Sequence, residues 1–415
     1  MKCLTASDLH RFRADYQQSR GKRIEKQVGK YGIARFTLDE RIVKENPARF
    51  NVELPSYHFY DQHDSGRCWC FSGLNLIERN VAENMDITPR QLSLSGNFLA
   101  FYNKLEKASY LYNFVVENDC NIEKLRQKAT ELTSEGAYFA NFVNLIYKYG
   151  LVPSSAMPEN KNTNYSRDYF IYLWREKTRA NALELWQAKL EVPALKLEHL
   201  RKQKLSEMYA FLSKICGEPP ALFSYKYTDR GGKRRILRNY SPTQFRDEFL
   251  TLDLRKFKLV CCDPLKKFHT TQKLKGVYSD DPFNPEVEYL NLPKFEIKRL
   301  VVAQLESGLP VKFSTRTNLF KNKDERVLDV RLHDYSRLGV KLADYETGVA
   351  MGLITSQHSM VITGAQVEDG RPIRWKVENT HSPNRLYVMN DNFFDAYVMS
   401  ANVKQDIIKA CGISF

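Results

Sequence analysis

A polar turn runs directly into an apolar helical segment at Cys68. The turn spans residues 61–67, and apolar side chains then recur at positions 70, 74, 77 and 81, which is the spacing of one helix face. This pattern predicts a buried, central helix that begins with a cysteine. A thiol at a helix N-terminus meets free backbone N–H groups and the positive end of the helix dipole, and both favour the reactive thiolate. Gln62 supplies an amide donor just upstream, so the segment predicts half of a cysteine acyl-transfer site.

The length and composition indicate a soluble globular protein with two or three lobes. A chain of 415 residues is too long for one small core, and 43% hydrophobic with 27% charged residues is ordinary for such proteins. No apolar run reaches the length of a membrane span, and the first residues lack the apolar core of a secretory signal. The eight cysteines are irregularly spaced, which predicts reduced thiols rather than a disulfide framework. We therefore expect a cytoplasmic protein without membrane contact.

The net charge of +14 leaves two interpretations open. Basic residues are dense over residues 230–238 and 266–275, which would suit a polyanion such as nucleic acid. Clusters of this kind are more often solvated faces, and neither carries a nucleic-acid-binding motif. Weak nucleic-acid binding through the basic surface is kept as an alternative, which the salt dependence of binding would test.

The chain is helix-rich first and strand-rich later. Helical spacing predicts helices over residues 5–20, 91–116 and 137–149, the first capped by Ser7 or Asp8. A segment rich in Leu, Ala, Glu and Lys over residues 165–216 predicts a helical insertion that ends at Gly217, before two prolines. Short β-branched or aromatic runs then predict strands over residues 222–228, 287–292, 297–304, 310–314, 359–367 and 373–378. This separation of helices from strands is typical of the α+β class.

A base for the cysteine is found on a predicted hairpin. His358 opens a strand-like run, Asp369-Gly370 is a two-residue turn signal, and the return strand ends at Asn379. With those two residues in the turn, Asn379 faces Met360, and His358 points to the same face of the sheet. Such diagonal neighbours lie about 7–8 Å apart, within reach of side chains. The amide oxygen of Asn379 can then fix the imidazole tautomer and leave the other ring nitrogen for a thiol.

Each of these residues has an ordinary structural interpretation when taken alone. A lone cysteine is usually part of a core, a lone histidine is usually satisfied locally, and an asparagine at a strand end usually belongs to a turn. Together, however, Cys68, His358 and Asn379 indicate nucleophilic catalysis.

A zinc site is the rival interpretation of the cysteine-rich turn. Cys68 and Cys70 could ligate a metal together with His58 or His63. Because Cys70 falls on the buried helical stripe, we predict no metal and no other cofactor.

At these positions the sequence resembles the papain-like cysteine peptidases, and more narrowly the bleomycin hydrolase and aminopeptidase C family. The segment Ser65-Gly66-Arg67-Cys68-Trp69 is close to that family's nucleophile motif, and Gln62 matches its oxyanion-hole glutamine. His358-Ser359-Met360 resembles its His-Ala-Met, and Val377-Glu378-Asn379 resembles its Val-Glu-Asn. The likeness spans nearly the whole chain and continues at residues 105–108, 148–150, 157–159, 217–220 and 332–335.

The resemblance implies a papain-like fold divided into four segments. These are an N-terminal hook over residues 1–60, a catalytic helical lobe over 61–160, a helical insertion over 161–260 and a β-rich catalytic lobe over 261–415. The family's enzymes are cytosolic, have no pro-domain and form homohexameric barrels whose active sites face an inner, often basic channel. The resemblance therefore implies peptide substrates and self-association, and the positive net charge fits such a channel.

The resemblance also implies a role for each residue of the reaction centre. Cys68 is the nucleophile, His358 is its imidazolium partner, and Asn379 orients His358. The oxyanion is stabilised by the backbone N–H of Cys68 and by the amide of Gln62. The implied reaction is peptide-bond hydrolysis by an aminopeptidase.

The sequence departs from the family pattern at three places, which are Glu135, His381 and the C-terminal end. Glu135-Gly136 stands where the family has Gly-Gly; Gly136 can present its backbone to a peptide, and Glu135 is expected to favour basic side chains in the substrate. Ser359 is the third expected substrate-binding residue. His381 takes the place of the tryptophan that shields the His–Asn hydrogen bond and is expected to shield it less well. The chain ends at Phe415, short of the family's usual terminus, whose carboxylate selects free amino ends.

These departures leave other functions open. A short C-terminal tail would suit an endopeptidase with an open cleft, and a thioester that meets another acceptor would give acyl transfer. A non-catalytic assembly of the same fold could instead bind nucleic acid through its basic surface. Retention of Cys68, His358, Asn379 and Gln62 together favours the peptidase, because a scaffold needs none of them.

Overall fold

The computed structural model describes residues 3–19, 21–56, 59–88, 91–274, 287–322, 324, 326–381 and 386–414. The helices are α1 (Ala6–Gln18), α2 (Gly21–Thr37), α3 (Glu40–Glu45), α4 (Cys68–Asn84), α5 (Gly96–Glu117), α6 (Ile122–Leu132), α7 (Phe139–Tyr149), α8 (Lys161–Asn164), α9 (Phe170–Lys189), α10 (Ala194–Cys216), α11 (Pro242–Phe249), α12 (Lys294–Glu306), α13 (Tyr345–Ala350), α14 (Asp391–Tyr397) and α15 (Gln405–Ala410). The strands are β1 (Val52–Glu53), β2 (Phe223–Thr228), β3 (Arg234–Tyr240), β4 (Phe257–Cys261), β5 (Thr270–Lys273), β6 (Glu288–Asn291), β7 (Val311–Thr315), β8 (Lys321–Asn322), β9 (Val327–Leu328), β10 (His358–Glu368), β11 (Arg371–Glu378), β12 (Leu386–Asn390) and β13 (Val398–Lys404).

The helical lobe is built around α4 and α5. The predicted apolar stripe of α4 is buried throughout, at Cys70, Leu74, Ile77 and Val81, because the helix lies between α5, α7 and α11 on one side and β10 on the other. Helix α5 packs in turn against α6, α7, α9 and α10. The prediction of a buried central helix that begins at the cysteine is therefore confirmed.

The β lobe is one mixed sheet with helices against it. Among the described residues its strand order is β5-β6-β4-β13-β7-β10-β11-β12-β9-β8, with β1 also paired to β10. Strand β10 occupies the middle of this order and carries the α4 contacts, so the two lobes meet along it. Together with the helical lobe, this sheet confirms the α+β class.

The predicted hairpin register is confirmed at both ends of β10 and β11. Val361 faces Glu378 beside the site, and Glu368 faces Arg371 beside the turn. The turn residues Asp369 and Gly370 have φ of 49° and 74°, the left-handed values that a two-residue hairpin turn requires. Two irregularities in the middle of the pair shift the register by one residue and then restore it, so His358 and Asn379 keep the predicted relation.

Residues 297–304 were expected to form a strand, and this expectation is wrong. They belong to α12, whose buried residues Ile297, Leu300, Val301 and Leu305 follow helical spacing rather than strict alternation. The short apolar window was ambiguous because β-branched residues also occur on buried helix faces.

The N-terminal helix and the insertion follow the sequence pattern with two differences. Thr5 caps α1 and forms a capping box with Asp8, so the predicted cap at Ser7 or Asp8 is off by a few residues. The helical run predicted over residues 165–216 contains α9 and α10 and ends at Gly217, as predicted, whereas the β2–β3 hairpin and α11 follow before residue 261. The four segment boundaries stay predictions. None of the helices in the described ranges combines the length and apolar character needed to cross a membrane.

Candidate active site

The nucleophile candidate Cys68 is the first residue of α4 and lies half-buried where the two lobes meet. Burial raises the pKa of the Cys68 thiol, while hydrogen bonding from the backbone of Ser359 and Trp69 opposes this rise. The net shift is upward, so the helix terminus alone does not make the thiol acidic. A cation close to the sulfur is needed to hold the thiolate at neutral pH.

The base candidate His358 is oriented by Asn379 as the hairpin register predicts. Nε2 of His358 lies 2.7 Å from Oδ1 of Asn379. Because an amide oxygen can only accept, Nε2 donates and therefore carries the ring proton. Nδ1 is then the nitrogen that can take a proton from a thiol. The chain directly after His358 reaches Cys68, since the backbone of Ser359 contacts the thiol and its side chain accepts from Ser72 of α4 at 3.0 Å.

Gln62 is buried and joins the nucleophile loop to the strand that carries Asn379. Its backbone N–H donates to the carbonyl of Thr380 at 2.7 Å, and its Oε1 accepts from the Thr380 hydroxyl at 2.5 Å. One N–H of its amide donates to the carbonyl of Ser65 at 2.6 Å. The second N–H of that amide is the one that could serve an oxyanion. The oxyanion role of Gln62 stays a prediction.

Glu135 is held inward, toward the nucleophile loop. Its Oε2 accepts from the backbone N–H of Gly66 at 2.8 Å, and its Oε1 accepts from Ser166 at 2.6 Å. The side chain is only 8% exposed, with Lys104 at 3.9 Å. Burial raises the pKa of this carboxyl, but Lys104, Ser166 and Gly66 outweigh it and hold the pKa below its ordinary value. Glu135 thus braces the turn before Cys68, and its contact with basic substrates stays a prediction.

Gly136 and Ser359, the other expected substrate contacts, differ in accessibility. Gly136 is exposed, and a Cβ at this position would meet nothing within 4 Å, so its backbone can receive an extended peptide. Its carbonyl accepts from Lys107 at 2.6 Å, which fixes the segment. Ser359 is buried, and its hydroxyl donates to the carbonyl of Phe313 at 3.1 Å. Both substrate roles stay predictions.

A buried charge cluster behind the nucleophile was not found from the sequence. The side chain of Arg67 is 3% exposed, and its Nη1 donates to both carboxylate oxygens of Glu159 at 2.8 and 2.9 Å. Its remaining nitrogens donate to the hydroxyl of Ser65 at 3.1 Å and to the carbonyl of Thr163 at 2.8 Å. Glu159 belongs to the family-like segment over residues 157–159, but nothing in that segment indicates that Arg67 is its partner.

His381 stacks on the base. The two imidazole rings lie 5.3 Å apart between centroids at an angle of 28°. His381 therefore covers one face of His358, and whether it does so less well than a tryptophan stays a prediction. The next residue, Ser382, lies outside the described residues.

The geometry offers no support for the rival zinc site. Cys70 is fully buried, with its thiol 3.8 Å from the carbonyl oxygen of Gly96, and His58 lies outside the described residues. Among the described residues, no group of three or more His, Cys, Asp or Glu side chains could hold a metal ion.

The two lobes pack together along the elements that carry the predicted site residues. Cys68 begins α4 and the amide-oriented His358 begins β10, and α4 packs against β10. This arrangement of helix and sheet is typical of the papain-like class of cysteine peptidases. Comparison with known proteins agrees, because a model of the Peptidase C1-like family matches residues 3–412. The chain belongs to this family and is a cysteine peptidase.

Several relatives are similar over almost their full length. Aminopeptidase E of Lactobacillus helveticus is 28% identical over 419 residues, covering 95% of this chain and 92% of the relative. Aminopeptidase C of Streptococcus thermophilus is 25% identical, covering 99% and 94% of the two chains. The crystal structure of PepW from Lactobacillus rhamnosis has a TM-score of 0.90 at 25% identity and covers 98% of this chain and 95% of that one. These matches confirm the resemblance drawn from the motifs.

Proposed function

We propose that the protein is a cysteine aminopeptidase in which Cys68 is the nucleophile, His358 is the base and Asn379 orients the base. The hydrogen bond between His358 Nε2 and Asn379 Oδ1 carries this proposal. With the ring proton on Nε2, Nδ1 is the nitrogen that would act on a thiol. The names of the relatives, which are aminopeptidases E and C, support cleavage at the amino end of a peptide.

The proposed reaction proceeds through a thioester. The Cys68 proton passes to Nδ1 of His358, and the thiolate forms a C–S bond with the substrate carbonyl carbon while the carbonyl electron pair moves to oxygen. The backbone N–H of Cys68 and the second amide N–H of Gln62 stabilise that oxyanion. On collapse, the C–N bond breaks and His358 protonates the departing amine. His358 then takes a proton from water, which attacks the thioester and releases the acid and the thiol.

The proposed cleft has its substrate strand at Gly136. An extended peptide can lie along this exposed backbone with its carbonyl carbon over Cys68. Lys107 holds the carbonyls of Ser134 and Gly136 at 2.7 and 2.6 Å, so the strand is fixed before substrate arrives. A preorganised strand lowers the entropy cost of binding.

We also propose self-association and a cytoplasmic location. Helix α1 has no buried residue, and Leu9, Phe12 and Tyr16 on one of its faces are 44–48% exposed. An apolar helix face of this kind suits contact with a second copy of the chain. Light scattering of the wild type and of a Phe12→Asp variant would test this: a monomeric wild type would contradict it, and a smaller variant would support it.

An active-site label combined with paired substrates tests the proposed function. A peptidyl epoxide is expected to modify Cys68, and a peptide with a free amino end is expected to be cleaved faster than its N-blocked counterpart. Cys68→Ala should abolish both signals. Absence of label on Cys68 would contradict the catalytic role, and cleavage of the blocked peptide alone would identify an endopeptidase.

The same preparation can test nucleic-acid binding. The exposed basic residues of the β2–β3 hairpin and its turn include Lys233, Arg234 and Arg238. Retention on a polyanion that falls steeply with salt, in a Cys68→Ala protein that is folded, would support that alternative.

A further inference from the structure

A buried lysine of the β lobe projects into the seam between the lobes. Lys312 on β7 is 3% exposed and pairs with Val361 of β10, while Ser314 pairs with Ser359. Because paired residues and every second residue share one face of a sheet, Lys312 lies on the same face as Ser359. That face is turned toward α4, since Ser359 accepts a hydrogen bond from Ser72 at 3.0 Å. Lys312 is therefore placed on the nucleophile's side of the sheet.

The ammonium group of Lys312 has an apolar neighbour on one side. Its Nζ lies 5.7 Å from the centre of the Phe139 ring, at the start of α7. Within the described part of the chain, no hydrogen bond or ion pair is formed by Nζ. A buried cation without a carboxylate partner is costly, so a nearby group that becomes negative would be strongly favoured.

Cys68 is the group that meets this condition. Burial lowers the pKa of Lys312 to about 8, and interaction with the Cys68 thiolate opposes the decrease. The interaction is reciprocal, because Lys312 lowers the pKa of Cys68, and Arg167 does so more weakly. Among the residues that pack around Lys312, Val361, Ser314 and Phe139 carry no charge. The thiolate is thus the electrostatic partner of this lysine.

We propose that Lys312 is a positioning residue for the nucleophile: its ammonium group holds the Cys68 thiolate as a second cation beside the His358 imidazolium. The proposal rests on the proposed function, since it takes Cys68 to be the nucleophile. It explains how a half-buried thiol can stay ionised before it attacks the substrate, since two cations rather than one then favour the charged form. Once the C–S bond has formed, the sulfur is no longer charged, so the role of the lysine belongs to the thiolate before attack.

Alkylation of Cys68 by iodoacetamide between pH 4 and 10 tests this role without any peptidase assay. The rate at Cys68 is read by mass spectrometry of the peptide that contains it, so that the other cysteines do not contribute. Lys312→Met, of similar length but uncharged, is expected to raise the apparent pKa of Cys68 by about one unit. Below that pKa the alkylation rate should fall about tenfold, because the thiolate fraction falls by that factor. Lys312→Arg, which keeps the charge, should stay within about threefold of the wild type.

Lys376→Met is the matched control. Lys376 is a buried lysine of the same sheet, but it is paired with Glu53 at 2.7 Å rather than with Cys68. Its loss should leave the alkylation profile unchanged. Equal profiles for Lys312→Met and the wild type, or equal shifts in both methionine variants, would overturn the proposal. Circular dichroism establishes that each variant is folded, and the arginine variant supplies the comparison if the methionine variant is not.

Two further outcomes separate this proposal from its neighbours. If Lys312→Met lost activity only on peptides with acidic side chains, with an unchanged alkylation profile, Lys312 would be a substrate contact and the proposal would be wrong. If Cys68→Ala kept full peptidase activity, the proposed function would fail, whereas the alkylation profile would still report on Lys312. The two failures are therefore distinguishable.

Discussion

The helical lobe and the β lobe position their reacting groups by different means. The loop before Cys68 is held by buried charges, with Arg67 on Glu159 and Glu135 on Gly66. His358 and Asn379 are instead brought together by strand pairing and one hydrogen bond of 2.7 Å. In the first lobe, removing a buried charge takes hydrogen bonds from partners that are largely withdrawn from water. In the second, the backbone ladder survives the loss of a side chain.

This difference predicts which substitutions lower stability and which lower activity. Substitutions in the helical-lobe cluster should weaken folding, because an unpaired buried charge is expensive. Substitutions at the tips of the β-lobe strands should slow the reaction while leaving folding nearly intact.

The largest effect is expected from Arg67→Met. The change removes the buried guanidinium that donates to Glu159, Ser65 and Thr163, and the free energy of unfolding should fall by about 3–5 kcal/mol. Urea denaturation measures this. Arg167→Met is the control, since Arg167 is 58% exposed and its ion pairs span 3.5 and 3.8 Å, so its loss should cost less than about 1 kcal/mol. Equal losses in the two variants would remove the distinction between the lobes.

Asn379→Ala should affect the reaction instead. Without the amide oxygen, the His358 ring loses the acceptor that fixes its orientation and tautomer, and kcat/KM should fall about 100-fold, or about 2.7 kcal/mol in the barrier. The midpoint of urea unfolding should change little. Asn75→Ala, which removes a 2.8 Å bond to Glu378 but leaves the imidazole alone, is the control and should keep kcat/KM within about threefold. A large loss of stability in Asn379→Ala would show that the β lobe also depends on side-chain pairing.

The same difference decides what could be predicted from the sequence. His358 and Asn379 are 21 residues apart on one hairpin, so turn chemistry and alternation were enough to bring them together. Arg67 and Glu159 are 92 residues apart, and no local pattern relates them. The helix nature of residues 297–304 was missed for another reason, because a short buried run of β-branched residues fits either period.

Titratable groups also lie where the two lobes meet, and Glu78→Gln tests how one of them affects the pH dependence of stability. Glu78 of α4 is fully buried and accepts from Tyr60 at 3.1 Å. Burial raises the pKa of Glu78 well above its usual value, and nearby Glu378 of β11 raises it further. The folded protein therefore holds a proton on Glu78 at pH values where the unfolded chain has released it.

The sign of the effect on stability follows from this proton. Above the unfolded pKa near 4.5, the folded state binds more protons, so wild-type stability falls as pH rises. Glu78→Gln lacks this decline, so its stability relative to the wild type should increase between pH 5 and pH 7, by no more than about 1.4 kcal/mol for each pH unit. Chemical denaturation at several pH values measures the gap. A gap that is constant with pH would mean that Glu78 is ionised in the folded protein.

Glu135→Gln is expected to have the smallest effect. It tests whether the Glu135 charge stabilises the helical lobe. The amide keeps the shape and can still accept from Gly66, but it loses the charge that faces Lys104, so stability at pH 7 should fall by about 1 kcal/mol. The pKa of Glu135 is lowered in the folded protein, so its contribution is present above the ordinary carboxyl pKa and is lost as pH falls through the lowered one. The gap between variant and wild type should therefore close in acid. Glu131→Gln, on an exposed pair with Lys128 at 3.5 Å, should change stability by less than about 0.5 kcal/mol.

The substrate preference of the same variant separates bracing from selection. Both carboxylate oxygens of Glu135 already accept hydrogen bonds, from Gly66 and from Ser166. We therefore expect the ratio of rates on matched Lys and Leu peptides to change by less than about twofold. A tenfold fall in that ratio with unchanged stability would identify Glu135 as a specificity residue. It would also show that the Glu135 carboxylate of the helical lobe contacts substrate in addition to the nucleophile loop. With the ratio unchanged and the stability lowered, the carboxylate belongs to the scaffold that holds Gly66 and the following helix start in place.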